Sequence, residues 1–235
     1  MFKDEVVIVT GAAGNLGAAV VGVLAGRGAQ LAAMDRTQAA LDQVLAGLAE
    51  PTRHLGAAGI DLTDPVVCAA LVERVLQRFG RVDGLVNTVG TFAMAGIDAA
   101  DPAQWEFLFK VNLATTLNMC RATVPPMRAA GRGSIVNVGA GAGLKAPAGM
   151  SAYAASKSAV LRLTESLADE LKAHGVRANS VLPSTIDTPQ NRAAMPKADT
   201  GKWVTPIQVA EVVAFLLADA GSGVTGAAVP VSGRG

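Results

Sequence analysis

The sequence predicts an α/β fold, a doubly wound parallel sheet of about seven strands flanked by helices. Apolar runs alternate with amphipathic helical stretches along the whole length, the order that parallel strands with crossover helices require. Hydrophobic residues make up 51% of the chain and aromatics only 4%, so the core is one of Val, Ala and Leu, as in strands buried on both faces. The first apolar run passes directly into a glycine-rich turn and then into a helix, the unit that opens such sheets.

In order, strands are expected near residues 5–9, 30–34, 54–60, 84–89, 133–138, 176–182 and 227–231, each bordered by glycine, proline or aspartate on at least one side. Helices are expected near 15–27, 37–49, 64–79, 103–130, 151–173 and 206–219. The stretch Val6 to Gly26 carries no charge and is long enough to raise a membrane-spanning question, but Thr10, Gly11, Gly14, Asn15 and Gly17 interrupt it. It reads as a buried strand, a glycine turn and a helix.

Composition narrows the function classes. The 235 residues can bury a full core in one domain, 1–235, and no linker, charge block or repeat divides them. A net charge of +1 with scattered Lys and Arg offers no footprint for nucleic acid. Nothing here favours a membrane. The first strand starts at about Glu5, which leaves no room for a signal peptide. Cys68 and Cys120 lack metal-ligand spacing and fall in expected helices, so they read as core thiols, and no metal site is expected. A reducing cytoplasm fits these features.

In sheets of this kind ligands bind beyond the carboxyl ends of the strands, and the informative residues stand there. After the first strand comes Thr10-Gly11-Ala12-Ala13-Gly14-Asn15-Leu16-Gly17. Such a turn lets backbone approach a pyrophosphate, which the helix N-terminus attracts with free N–H groups. Gly11, Asn15, Leu16 and Gly17 are therefore candidate cofactor residues. Asp35 ends the second strand, where a carboxylate accepts from both hydroxyls of an adenosine ribose and repels a 2′-phosphate. This favours NAD(H) over NADP(H), although the adjacent Arg36 is a residue type that can hold a 2′-phosphate. Asp61 and Leu62 after the third strand are placed to meet adenine, and Asn87, Val89 and Gly90 after the fourth to approach the ribose.

The only tyrosine of the chain, Tyr153, precedes Lys157 by four residues, which sets both on one helix face. A phenol titrates near pH ~10 when unperturbed, but an ammonium about 4 Å away at an effective dielectric near 20 lowers that by roughly three units. The pair is then suited to proton transfer at neutral pH.

These residues resemble those of the short-chain dehydrogenase/reductase family, and the resemblance covers essentially the whole chain. The family's TGxxxGxG is present as TGAAGNLG, with its middle glycine displaced by one position; its NNAG is present as NTVG and its YxxxK is intact. The resemblance implies a Rossmann-type fold and NAD(H)-dependent oxidoreduction of a small-molecule substrate. In it Tyr153 supplies the proton, and Lys157 lowers the phenol pKa and holds the nicotinamide ribose. Asn112 would hold a water in a proton relay; asparagine is a poor mid-helix residue, which favours a functional reason for it. Asn179 to Thr188 matches NxxxPGxxxT with Ser184 in place of glycine. The resemblance sets this loop against the nicotinamide, with Pro183, Thr185 and Ile186 as contacts and Thr188 at the carboxamide. It also implies a homodimer or homotetramer, built on the helices near 103–130 and 151–173, where Ala154, Ala155, Ser158 and Ala159 permit close helix contact.

One position departs. The family's catalytic serine, thirteen residues before the tyrosine, is Ala140 here, and losing one oxyanion donor typically costs ~10² to 10³ in rate. The dihydropteridine reductase branch shares that alanine, and the segment from Leu182 to Trp203 is similar to its corresponding stretch. Against that, the branch has tryptophan where this chain has Phe92, lacks the equivalent of Asn112 and opens its glycine turn without Thr10. Ser151 is expected to cap its helix, with a partial stand-in for the missing hydroxyl as the other reading. Phe92, Ala140 and Trp203 are the candidate substrate contacts. Three functions stay open: a general carbonyl or alcohol oxidoreductase, a reductase of a conjugated quinonoid ring, and a non-catalytic NAD(H)-binding sensor.

Overall fold

Residues 1–234 are described by a computed structural model. Five consecutive buried residues, Val6–Thr10, form β1. It pairs in parallel with β2 (Gln30–Met34) on one side and β4 (Gly84–Asn87) on the other. With β3 (Leu55–Ala57), β5 (Gly133–Val138), β6 (Val176–Pro183) and β7 (Ala228–Val231) the sheet has seven strands in the order β3-β2-β1-β4-β5-β6-β7, every pairing parallel. The order reverses direction between β1 and β4, the switch point where ligands settle in doubly wound sheets.

Successive side chains of β1 point to opposite faces and nucleate two cores. Val7 and Val9 pack with Val20, Val21 and Leu24 of α1 (Asn15–Gly26), Leu41 of α2 (Gln38–Ala46) and Val209 and Val213 of α8 (Pro206–Leu217). Val6 and Ile8 face Leu71, Val72 and Val75 of α3 (Pro65–Phe79), Met119 and Met127 of α5 (Thr115–Ala130) and Leu171 of α6 (Ser151–Leu171). Cys68 and Cys120 are buried free thiols in the second core. Burial pushes their pKa up, to about 11 and about 12.

The expected helix 103–130 is divided. α4 (Pro102–Phe109) runs into a π-helical turn, Lys110–Ala114, before α5 resumes. Within that turn the Asn112 amide binds both the backbone N–H and the carbonyl of Thr91, holding the turn against the end of β4. The third strand is shorter than expected, and a six-residue helix, α7 (Pro189–Ala194), was not anticipated. Thr188 caps α7 by accepting from Asn191 N–H, and an Ile186–Val204 bridge closes the segment that contains it.

Candidate active site

The glycine turn depends on Gly17, where a Cβ would stand 2.0 Å from the Gly11 carbonyl oxygen. Only glycine lets α1 begin this close to the end of β1. Asp35, at the end of β2, faces the same turn. Its Oδ2 accepts from Ala13 N–H at 2.9 Å, and its Oδ1 from Arg36 N–H at 2.7 Å and Thr37 N–H at 3.2 Å. Three backbone donors thus fix the carboxylate's orientation; Oδ1 already takes two of them, and Oδ2 keeps one accepting site.

Gly11, Asp35, Arg36, Asp61, Leu62, Val89 and Gly90 line one cavity of about 780 Å³. Thr63 donates to Asp61 through its N–H and hydroxyl, which holds that carboxyl below its usual range. Leu62 is buried, and its carbonyl accepts from Asn118. Other candidates lie outside the cavity lining. Leu16 is packed into the core and Asn15 is exposed, donating to Gln190. Asn87 is buried in the sheet, donating to Asn137 Oδ1 at 2.9 Å, and its own Oδ1 has no partner.

Tyr153 and Lys157 lie on α6. The structure does not show the mutual tuning expected from their spacing. Burial raises the Tyr153 phenol to about 12, and burial lowers Lys157 to about 8. The Lys157 amine instead donates to the Val138 carbonyl at 2.9 Å, so the two groups respond to desolvation separately. The Tyr153 ring meets Phe92 edge-on, centroids 4.9 Å apart, and Phe92 is otherwise half exposed. Asn112 is fully buried and also donates to Ser156 Oγ at 2.9 Å, whose hydroxyl donates to the Tyr153 carbonyl.

Gly90 joins the two regions. A Cβ there would lie 3.0 Å from Lys157 Nζ and 3.1 Å from Asn112 Oδ1. The amine and the amide therefore converge on a wall of the cavity.

Ala140 follows β5 in extended conformation and is nearly buried. Ser151 does not cap its helix. Met150 occupies the N-cap position and makes no side-chain cap bond, while Ser151 is the first helical residue; two residues from Tyr153, it lies on a different helix face. Pro183 ends β6, the Thr185 carbonyl accepts from Val204 N–H, Ile186 pairs with Val204 in a parallel bridge, and buried Thr188 caps α7. Ser184 donates to the Ser232 carbonyl. Trp203 is half buried next to Val204; it does not line the cavity. Lys110 and Phe107 of the α4 region line it as well, and no strand-end motif pointed to them. Gln190 also escaped the sequence reading, because its partner lies 175 residues away.

The sequence matches the short chain dehydrogenase family over residues 5–199. The chain belongs to that family. Members typically bind NAD or NADP and oxidise or reduce small molecules, so this chain is an oxidoreductase. It is 36% identical to cis-4-hydroxycyclohexanecarboxylate dehydrogenase of Sinomonas cyclohexanicum, covering 99% of this chain and 96% of that one. It is 33% identical to 2-(S)-hydroxypropyl-CoM dehydrogenase 3 of Xanthobacter autotrophicus, covering 98% and 96%. Among solved structures, NAD⁺-bound xylitol dehydrogenase superposes with a TM-score of 0.91 at 27% identity, covering 99% of both chains. Levodione reductase superposes with a TM-score of 0.92 at 28% identity, covering 99% of this chain and 98% of that one. Among the described residues no group of His, Cys, Asp and Glu suits a metal, and no helix is long and apolar enough to cross a membrane.

Proposed function

We propose that this oxidoreductase is NAD(H)-dependent and acts on a small carbonyl or alcohol substrate, with Tyr153 as proton donor, Lys157 and Asn112 as its partners, and no serine hydroxyl at position 140. The observation that carries the reading is the convergence at Gly90, which sets the Lys157 amine and Asn112 amide against the wall of a cavity that begins at Asp35. The residues fit a dinucleotide: a glycine turn closed tightly enough to need Gly17, a helix N-terminus beside it, and an oriented carboxylate for ribose hydroxyls. The nicotinamide supplies the hydride chemistry when bound.

The chain's own residues supply the rest. Asp35 accepts from ribose hydroxyls and repels a 2′-phosphate. Leu62 and Val89 offer apolar surface to adenine, and Thr188 is the hydroxyl-bearing residue for the carboxamide end. Tyr153 holds the proton that meets the developing oxygen charge; Lys157, protonated at neutral pH, favours the phenolate through charge once its amine approaches the ring oxygen. Asn112 keeps the end of β4 in place for both. Ala140 gives no donor, so a simple ketone lacks one oxyanion contact.

That alanine, with the Phe92 ring standing against Tyr153, favours a second reading in which the acceptor is a conjugated ring that spreads its charge. We further infer a single catalytic domain in a reducing cytoplasm. The small-residue face of α6 and exposed Leu117 of α5 are where a second copy would pack.

The test is NADH oxidation against a panel of cyclic ketones, acyclic ketones and quinonoid rings, with Tyr153→Phe as control. Turnover by the wild type that Tyr153→Phe abolishes, with NADH affinity held within a few-fold, supports the reading. NADH binding without turnover of any acceptor leaves the sensor reading in its place.

A further inference from the structure

Asn15 Nδ2 donates to Gln190 Oε1 at 2.9 Å. Among the described residues this is the one hydrogen bond that joins the glycine turn to the segment 184–204. Both residues are exposed, so no packing enforces the contact. Gln190 is nevertheless well braced. Thr188 caps the start of α7, Asn191 Nδ2 donates to the Ile186 carbonyl at 2.8 Å, and Arg192 grips Asp187 with two hydrogen bonds.

The sequence explains the reach from the other side. The family pattern has glycine at position 15; here that glycine is displaced to Gly14, and the side chain at 15 is free to cross. Asn15 opens α1, whose unpaired N–H groups and positive end attract phosphates. A dinucleotide reaching from Asp35 to Tyr153 passes between that helix start and the loop carrying Thr188. The Asn15–Gln190 bond links those two walls.

We propose that this bond is a clasp over the cofactor phosphates and that its opening sets the rate at which the dinucleotide leaves. The inference rests on the dinucleotide reading above. Asn15 and Gln190 act as positioning residues that tie the 189–203 segment to the glycine turn.

The test pairs two measurements on Asn15→Gly, Gln190→Ala and the double variant. Hydrogen–deuterium exchange of the cofactor-free protein should show residues 189–203 exchanging faster in each variant, and Gln190→Glu, which retains an acceptor oxygen, should restore protection. Stopped-flow fluorescence should show NADH release about fivefold faster in each single variant, the scale of one net hydrogen bond, and no faster still in the double. Unchanged release, or effects that multiply in the double variant, overturns the clasp while the dinucleotide reading stands. A wild type that binds neither NADH nor NADPH overturns the dinucleotide reading and the clasp with it.

Discussion

Lys157 Nζ donates to the carbonyl oxygen of Val138 at 2.9 Å, fastening the second turn of the tyrosine-bearing helix to the end of the fifth strand. The ammonium is almost fully buried and, among the described residues, meets no carboxylate; desolvation lowers its pKa from 10.5 to about 8. The charge is therefore held at a cost to stability. Below pH 8 the folded and unfolded states both carry the proton and the penalty is complete. Between pH 8 and 10.5 the unfolded chain binds more protons, so stability rises with pH. The rise is on the order of 3 kcal/mol at most. The buried Cys68 and Cys120 thiols, raised by desolvation, pull stability the other way above about pH 9 in any variant that keeps them, so urea titrations from pH 7 to 10 should show the lysine's rise as a difference between the wild type and Lys157→Met, which should be the more stable protein at pH 7. Parallel pH dependence in the two proteins would show that the amine is not desolvated as described.

Asp35 governs the adenosine end of the cleft. A 2′-phosphate near its carboxylate would meet like charge worth about 4 kcal/mol at 4 Å and an effective dielectric near 20. Titration calorimetry should find NADH bound at least tenfold more tightly than NADPH. Asp35→Ala should narrow the gap and, by releasing Ala13 N–H, weaken NADH binding as well. Equal affinities in the wild type would mean that Arg36 dominates the selection.

Gly90→Ala places a methyl group 3.0 Å from Lys157 Nζ and 3.1 Å from Asn112 Oδ1. The lysine end is flexible and can retreat; the fully buried asparagine cannot. Turnover should fall tenfold or more while the thermal midpoint shifts by a few degrees at most. Undiminished turnover would detach the convergence at Gly90 from the chemistry.

Ala140→Ser separates the substrate readings. If the site serves a conjugated acceptor, the new hydroxyl should raise kcat/KM for simple ketones, by ~10² to 10³ at most if it is well placed, and barely change quinonoid reduction. Ordinary ketone turnover in the wild type that the serine does not improve would mean that another donor already serves.

The parallel sheet was legible because its central strands are mostly buried runs that meet glycine, aspartate or proline at their carboxyl ends, as β1 does at Gly11, β2 at Asp35, β5 at Gly139 and β6 at Pro183; the edge strands β3 and β7 are only partly buried. Asp35, Asp61 and Gly90 could be placed at one cavity because strand ends in such a sheet converge. What escaped was set by contacts distant in sequence. Asn112 in the π-helical turn binds Thr91, and Gln190 meets Asn15, partners that no local pattern relates. The cap expected at Ser151 failed for a local reason, since the helix begins one residue earlier than a capping serine requires. The tuning of Tyr153 by Lys157 was inferred from spacing alone. Spacing fixes the helix face but not the direction of the amine, which Val138 takes.

The chain has a single tyrosine, so near-ultraviolet titration of tyrosinate reads Tyr153 alone and tests its role as proton donor most directly. In the free protein, burial sets the phenol at about 12, and no ionisation should be seen below pH 10. Saturating NAD⁺ adds a cationic ring, and with the buried Lys157 ammonium this should bring the ionisation well below pH 10, an effect that Lys157→Met reduces. The same titration with and without NAD⁺, in a protein shown by calorimetry to be saturated, would contradict the account.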